Sequence, residues 1–531
     1  MTSTAAATAK LLADAGIERV FGLPGGEVLV LMDELRRAGV DFVLMRHEAN
    51  AGIAAAVYGK LRRQPGVVLT TLGPGAANLM LPLSNAYLDL EPLLAISAQI
   101  PDDFPASHTH QLLPLHETYR PIARYVEKIT GTSVFDVVPQ ALARCMERPF
   151  GVSYLTLSAR EALKAAAADR PAPPIAPAEC PTAGAREQAV RLSAALRASK
   201  RPLIVIGLGV DPENAAAIRR WLSHWNLPVA VTPKVKGIVD ESSANFVGVV
   251  GGMAADGVMC DVIAAADLLV GLGLDPVEID KTWHAERPIH WLLESPNACG
   301  IVPDGATLVS HRVLLDELVG EQPPGSWAEP FSAFQDKRTR MLTDRTPQAG
   351  TMWPGDIIEA LASVMPRQTI VTTDVGSHKY LFGQYWPSRE PETFWMSNGL
   401  SGMAYGLSAA IGAKLARPES PVLAAVGDGG FSMNAQELET AERVGAPFVT
   451  VVLEDGSYSL IKLAQEGRKL ERYRMDFGRI DTVKMAEACG VQGLRTINPD
   501  ELASAVKAAV ERRRSLVVGV PVNYEDYRRL F

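Results

Sequence analysis

Along this chain, short apolar runs alternate with longer Ala-rich stretches of mixed polarity. The run Phe42-Val43-Leu44-Met45 predicts a strand, and Glu48 to Leu61, with no proline and only two glycines, predicts a helix. Val67 to Leu72 then predicts a strand, Gly73-Pro74-Gly75 a turn, the segment ending near Leu90 a helix, and Leu93 to Ser97 a further strand. The alternation restarts at Arg201 to Gly207, continues through a helical pattern at Ala215 to Leu222 and strands at Val229 to Val231 and Leu268 to Leu272, and begins a third time near Trp353. Two breaks separate the series: Ala165 to Ala183, rich in Ala and Pro, and the turn cluster Gln322-Pro323-Pro324-Gly325-Ser326. Helix and strand in this order build parallel sheets. The expected fold is α/β, with three consecutive parallel-sheet domains at 1–164, 185–320 and 345–531, which suits 531 residues at roughly 100–200 residues per domain.

Composition narrows the class further. Apolar residues at 47% and charged residues at 21% are those of an ordinary folded protein, and a net charge of -8 argues against a nucleic-acid partner. The five cysteines, Cys145, Cys180, Cys260, Cys299 and Cys489, form no CxxC and no metal-ligand spacing, which fits a reducing compartment. No basic N-terminal region leads into an apolar run, and no stretch of eighteen apolar residues occurs. A cytoplasmic protein without membrane contact is expected.

The densest chemical signal lies between Pro421 and Lys462. An apolar strand, Val422 to Val426, delivers Gly427-Asp428-Gly429 at its carboxyl end, and a second, Phe448 to Leu453, delivers Asp455. Alone, Gly-Asp-Gly reads as a tight turn with an aspartate capping a helix. A second carboxylate at a neighbouring strand end changes that reading, because hard oxygen ligands suit Mg²⁺ and glycines beside a helix N-terminus suit a phosphate.

This segment resembles the diphosphate-binding motif of thiamin diphosphate enzymes, a Gly-Asp-Gly followed about 25–30 residues later by a pair usually written Asn-Asn. Here the pair is Glu454-Asp455. An aspartate in the second place is similar to the catabolic acetolactate synthases, whereas Glu454 departs from the pattern and receives no role. The resemblance runs over essentially the whole chain, including Gly271 to Glu278 and Met475 to Asp481. It implies Mg²⁺ held by Asp428, Asp455 and the main-chain oxygen of Ser457, with Gly427, Gly429, Gly430 and Tyr458 around the diphosphate. The segment Thr373 to His378 resembles a further diphosphate support, contributed by Val375, Gly376, Ser377 and His378. In Ser397 to Gly406 the implied cofactor contacts are Gly399, Ser401 and Met403, the last as the wedge that bends the cofactor. Met45 to Gly52 resembles the segment of the activating acid, so Glu48 would hydrogen-bond the cofactor's pyrimidine ring, near Pro74 and Asn78 of the Gly-Pro-Gly turn. Gly25 in Leu23-Pro24-Gly25-Gly26 and Gln111 in Thr109-His110-Gln111 would face the reacting carbon.

Local sequence also supports plainer readings: Glu48 as a first-turn glutamate favoured by the helix dipole, His378 as a surface histidine, Met403 as core filler. His108, His110 and His116 suggest zinc, but lack the acidic or Cys partner and helical spacing of such a site. The implied activity is decarboxylation of a 2-oxo acid such as pyruvate and carboligation of the resulting enamine to a second carbonyl, in a homodimer or homotetramer with sites between subunits. Where acetolactate synthases carry Trp or Gln this chain has Ala464, with Lys462 nearby, so a larger or anionic acceptor is the alternative. A simple 2-oxo acid decarboxylase would use adjacent histidines, and Thr109 separates His108 from His110. Flavin binding is left open: Gly207-Leu208-Gly209-Val210-Asp211-Pro212 lacks the third glycine of a dinucleotide fingerprint. A non-catalytic regulatory paralogue would have no need of Glu48, Asp428 and Asp455 together.

Overall fold

A computed structural model describes residues 2–105, 107–167, 181–278, 288–320, 331–344, 348–528 and 530. The break expected at 322–326 and most of that at 165–183 lie outside these residues. Among the described residues eighteen strands form three six-stranded sheets, and every strand pair is parallel. In spatial order the first sheet is Asp41–Leu44, Arg19–Leu23, Gly66–Thr70, Leu93–Ala98, Val152–Leu157, Tyr125–Lys128. The third sheet repeats that topology with Phe394–Met396, Ile370–Thr373, Val422–Gly427, Val449–Glu454, Leu516–Pro521, Gln492–Arg495. The central sheet is ordered differently: Thr307–Leu308, Ile289–Leu293, Leu268–Leu272, Pro202–Ile206, Val229–Val231, Phe246–Val249. Central strands such as Leu93–Ala98 and Val152–Leu157 are buried at every position, which is why they read as unbroken apolar runs rather than alternating ones.

Each sheet opens a crevice where its strand order reverses, outside the carboxyl ends of the two strands that diverge. In the first domain this crevice lies between Arg19–Leu23 and Gly66–Thr70, and in the third between Ile370–Thr373 and Val422–Gly427. The candidate residues of both domains therefore begin at equivalent places in equivalent folds.

The first and third domains meet through two Ala- and Gly-rich helices, Glu48–Arg62 and Gly406–Ala416. Twelve of the fifteen residues of the first are buried, so it is apolar all round, as a helix between two layers must be. At their crossing Gly412 lies against the main chain of Ala54, and any side chain there would collide with the Ala54 carbonyl. A buried charge cluster fastens all three domains: Lys234 Nζ, of the central domain, donates to Asp89 Oδ2 at 3.1 Å, to Glu91 Oε1 at 3.1 Å and to Met396 O at 3.0 Å. Its three donors are all used, as a buried ammonium requires. Among the described residues no helix is long and apolar enough to cross a membrane.

Candidate active site

The third-domain crevice is built around a buried carboxylate that is bonded to main-chain N–H groups. Asp374 follows the strand Ile370–Thr373 and is buried; its Oδ1 accepts from Val375 N at 2.7 Å and its Oδ2 from Ala404 N at 3.0 Å. A side chain on Gly430 would collide with the same carboxylate. Asp374 thus draws together the 375–378 turn, the 401–405 loop and the helix that starts at Asp428. Burial pushes its carboxyl up to about 6.

Around it, Val375, Gly376, Ser377, His378, Met403, Gly427, Asp428, Gly429, Gly430, Asp455, Ser457 and Tyr458 line one cleft, together with Leu453, Ser459, Leu460, Ile461 and Tyr527. Asp428 opens the helix Asp428–Asn434, with Oδ1 accepting from Gly429 N at 2.9 Å and Oδ2 from Gly456 N at 2.8 Å. Asp455 follows the strand Val449–Glu454 and accepts from Ser457 N at 3.0 Å and from the Ser459 hydroxyl. Burial, and next to it the Asp455 charge, pushes Asp428 up to about 7, and burial also raises Asp455. Two carboxylates in this state are short of a cation. Among the described residues no group of three His, Cys, Asp or Glu could hold a metal, so any further protein ligand beside these two has to be of another kind, such as a main-chain oxygen.

On the opposite wall two buried polar atoms have no protein partner, Ser377 Oγ and His378 Nε2. Burial holds the His378 ring neutral, at about 3, and a Cβ on Gly427 would lie 2.9 Å from it. A hydroxyl, a neutral imidazole and a helix N-terminus, facing two carboxylates across a glycine floor, suit a metal-bound diphosphate. Tyr458 lies 5.2 Å from Phe477 in a ring contact and covers Gly429.

Gly399 and Ser401 do not line the cleft: Gly399 N donates to Asp89 Oδ1 at 2.8 Å, and the Ser401 hydroxyl accepts from Lys379 Nζ at 3.1 Å. Both brace the loop that carries Met403. Lys462 Nζ donates to Asp476 Oδ1 at 2.8 Å and sits 3.8 Å from the Tyr524 ring centroid, and its charge acts on Asp455 at the edge of the cleft. Glu454 points away from the cleft, where Oε1 accepts from Thr482 Oγ1 at 2.5 Å and Oε2 from Arg495 Nε at 2.8 Å. It pins the end of the strand that carries Asp455.

In the first domain, His47 caps the helix Glu48–Arg62 through Nδ1, which accepts from Ala49 N at 3.0 Å. Glu48 is 6% exposed, and Asn78 Nδ2 donates to its Oε2 at 2.9 Å. Pro74 opens the short helix Pro74–Ala77 after Gly73, whose φ of 57° needs no side chain. A Cβ on Gly73 would lie 2.9 Å from that of Gln111, and one on Gly25 would meet the Thr71 hydroxyl. Glu48, Asn78, Pro74, Gly25 and Gln111 are thereby gathered at the first crevice. None of them lines the third-domain cleft. His116 Nε2 is 2.9 Å from Thr156 Oγ1 and His108 packs edge-on to Phe104, and among the described residues neither belongs to a group of three His, Cys, Asp or Glu side chains placed to hold a metal.

One buried group was missed. Glu437 accepts from Arg46 N at 3.0 Å and Asn50 Nδ2 at 2.8 Å, bracketing Glu48 from the third domain. In sequence it is one charge in Glu437-Leu438-Glu439-Thr440-Ala441-Glu442, indistinguishable from a solvated helix face.

A parallel α/β trio with a carboxylate-and-glycine cleft at one switch point and a buried glutamate at another defines a diphosphate-cofactor enzyme. Family models of the thiamine pyrophosphate (thiamin diphosphate) enzymes match all three domains: the N-terminal TPP binding domain at 2–116, the central domain at 190–298 and the C-terminal TPP binding domain at 374–520. An acetolactate synthase of Bacillus subtilis is 30% identical over 97% of this chain and 92% of its own. A catabolic acetolactate synthase of Raoultella terrigena is 27% identical over 96% and 93%, and the isozyme 3 large subunit of Escherichia coli 28% over 100% and 96%. The chain belongs to the thiamine pyrophosphate enzymes.

Proposed function

We propose that this protein is an acetolactate synthase-like carboligase, which decarboxylates a 2-oxo acid of the pyruvate type and joins the remaining fragment to a second carbonyl compound. The observation that carries this reading is the pairing of the Asp428/Asp455 cleft with Glu48 in a chain similar along its whole length to acetolactate synthases. Asp428, Asp455 and the Ser457 main chain would hold Mg²⁺, and Ser377 Oγ and His378 Nε2 the diphosphate oxygens. Glu48 would meet the pyrimidine ring. When bound, the cofactor supplies the electron sink for decarboxylation and the carbon that carries the fragment between the two carbonyls.

The chain's own residues divide the remaining work. Asn78 occupies Glu48 Oε2, which leaves Oε1 to hold the proton exchanged with the pyrimidine nitrogen. Met403, which lines the cleft, would set an apolar side chain against the bound cofactor. Leu460 and Ile461 provide an apolar wall that keeps water from the reacting carbon, and Ala464, one turn beyond on the same helix, leaves room for a larger acceptor. Because the Glu48 group and the Asp428 cleft are lined separately within one chain, the complete site is assigned to a homodimer or a tetramer of such dimers, each cleft closed by a second copy's first domain.

Mass spectrometry of products from holoenzyme given pyruvate, alone and with other 2-oxo acids or aldehydes, tests this function. The expected result is CO₂ release with a 2-hydroxy-3-oxo acid or hydroxyketone formed at roughly 1–10³ s⁻¹. Release of free aldehyde as the sole product would contradict carboligation.

A further inference from the structure

The central sheet runs, from Phe246–Val249 across to Thr307–Leu308, in the order third, second, first, fourth, fifth, sixth by sequence. That is the order of dinucleotide-binding folds, whose ligand phosphates sit between the first and fourth strands, on N–H groups of the loop after the first. Here those strands are Pro202–Ile206 and Leu268–Leu272.

The place is filled from within. Glu278 is 3% exposed, and its Oε2 accepts from Leu208 N at 2.7 Å and Asp275 N at 3.4 Å, while Oε1 accepts from Thr232 Oγ1 at 2.5 Å. One side chain thus ties the loops after the first, second and fourth strands. It takes the main-chain N–H that a phosphate would take. A Cβ on Gly207 would lie 2.6 Å from Glu278 Oε2, so the glycine admits a carboxylate and nothing more. Beside it Gly209 N donates to Gly273 O at 2.7 Å, and a Cβ on Gly273 would lie 2.6 Å from Val210 N, so the two loops rest directly on each other. The cavity left between Gly209, Gly273, Pro276 and Asn297 is about 20 Å³, enough for one or two waters and far too small for a dinucleotide. Burial pushes Glu278 up to about 8, consistent with a carboxyl sealed from solvent.

We propose that Glu278 is an internal ligand in the phosphate position of the central domain, and that this domain accordingly takes neither flavin nor adenine nucleotide. Its remaining work is mechanical: the strand Val229–Val231 leads through Thr232 into Pro233 and Lys234, so the same closure that seats Thr232 on Glu278 steadies the lysine that joins all three domains.

The test combines nucleotide uptake with melting. Holoenzyme with thiamin diphosphate and Mg²⁺ is dialysed to equilibrium against FAD and, separately, ADP, while Glu278→Gln and Glu278→Ala are melted beside wild type. No saturable uptake of either nucleotide is expected up to about 1 mM. Glu278→Gln, which retains an acceptor for Leu208 N–H and a partner for Thr232, should melt within about 2 °C of wild type, and Glu278→Ala several degrees lower or not fold at all. One equivalent of FAD or ADP bound per chain, or a Glu278→Ala protein as stable as wild type, would overturn the proposal.

Discussion

Glu48→Gln should remove nearly all turnover while leaving the fold and cofactor binding in place. A positioned proton-transferring group contributes about 10²–10⁴-fold, so a fall in kcat of about 10³ is expected. Gln keeps the shape of the side chain and an oxygen for Asn78 Nδ2, and the Arg46 and Asn50 contacts to Glu437 do not involve residue 48. Calorimetric titration with thiamin diphosphate and Mg²⁺ should therefore give an affinity within about tenfold of wild type, or about 1.4 kcal/mol. A variant with ordinary turnover would remove Glu48 from the chemistry. One that neither turns over nor folds would make Glu48 a packing residue.

Asp428→Asn should show the opposite division. Its Mg²⁺-dependent cofactor affinity should fall by at least about 100-fold, since even groups one shell beyond a metal cost 10–100-fold when removed. The metal-free variant should be no less stable than wild type. Asp428 is raised to about 7 by burial and the Asp455 charge, so its cost to the folded chain grows as pH rises from the ordinary carboxylate range to about 7 and persists above. Asparagine has no such cost, and its relief should be greatest at pH 7 and higher, read as the difference in melting temperature across pH 5 to 8. Unchanged Mg²⁺ and cofactor affinity would place the metal elsewhere.

These residues differ in how far the chain alone disclosed them. Val229–Val231 and Leu268–Leu272 form at the expected residues, and Val422–Gly427 and Val449–Glu454 within one residue of expectation, because strands buried on both faces write themselves as apolar runs ending in glycine or acid. Asp428 and Asp455 could be placed at neighbouring strand ends because each follows directly on an apolar strand. Glu48 was legible only through resemblance, since its local pattern is that of any first-turn glutamate. Asp374, Glu437 and Glu278 could not be read the same way: each is buried by partners 30 to 391 positions away or by loops that meet only after the sheet has closed. Glu454 and Lys462 carry the same lesson from the other side. Both stand beside the motif in sequence, and the partner each takes, Arg495 for Glu454 and Asp476 for Lys462, follows only from the folded strand end and helix.

Glu48 and Asp428 belong to separate crevices of one chain, and the proposed dimer joins them across two chains. The direct measurement is the activity of a mixed dimer, in which a Glu48→Gln chain and an Asp428→Asn chain bearing different tags are co-expressed and purified together. Such a dimer has one site with both carboxylates intact and one with neither, so it should recover about half the activity of wild type. Activity no higher than that of the two variants measured separately would contradict the composite site.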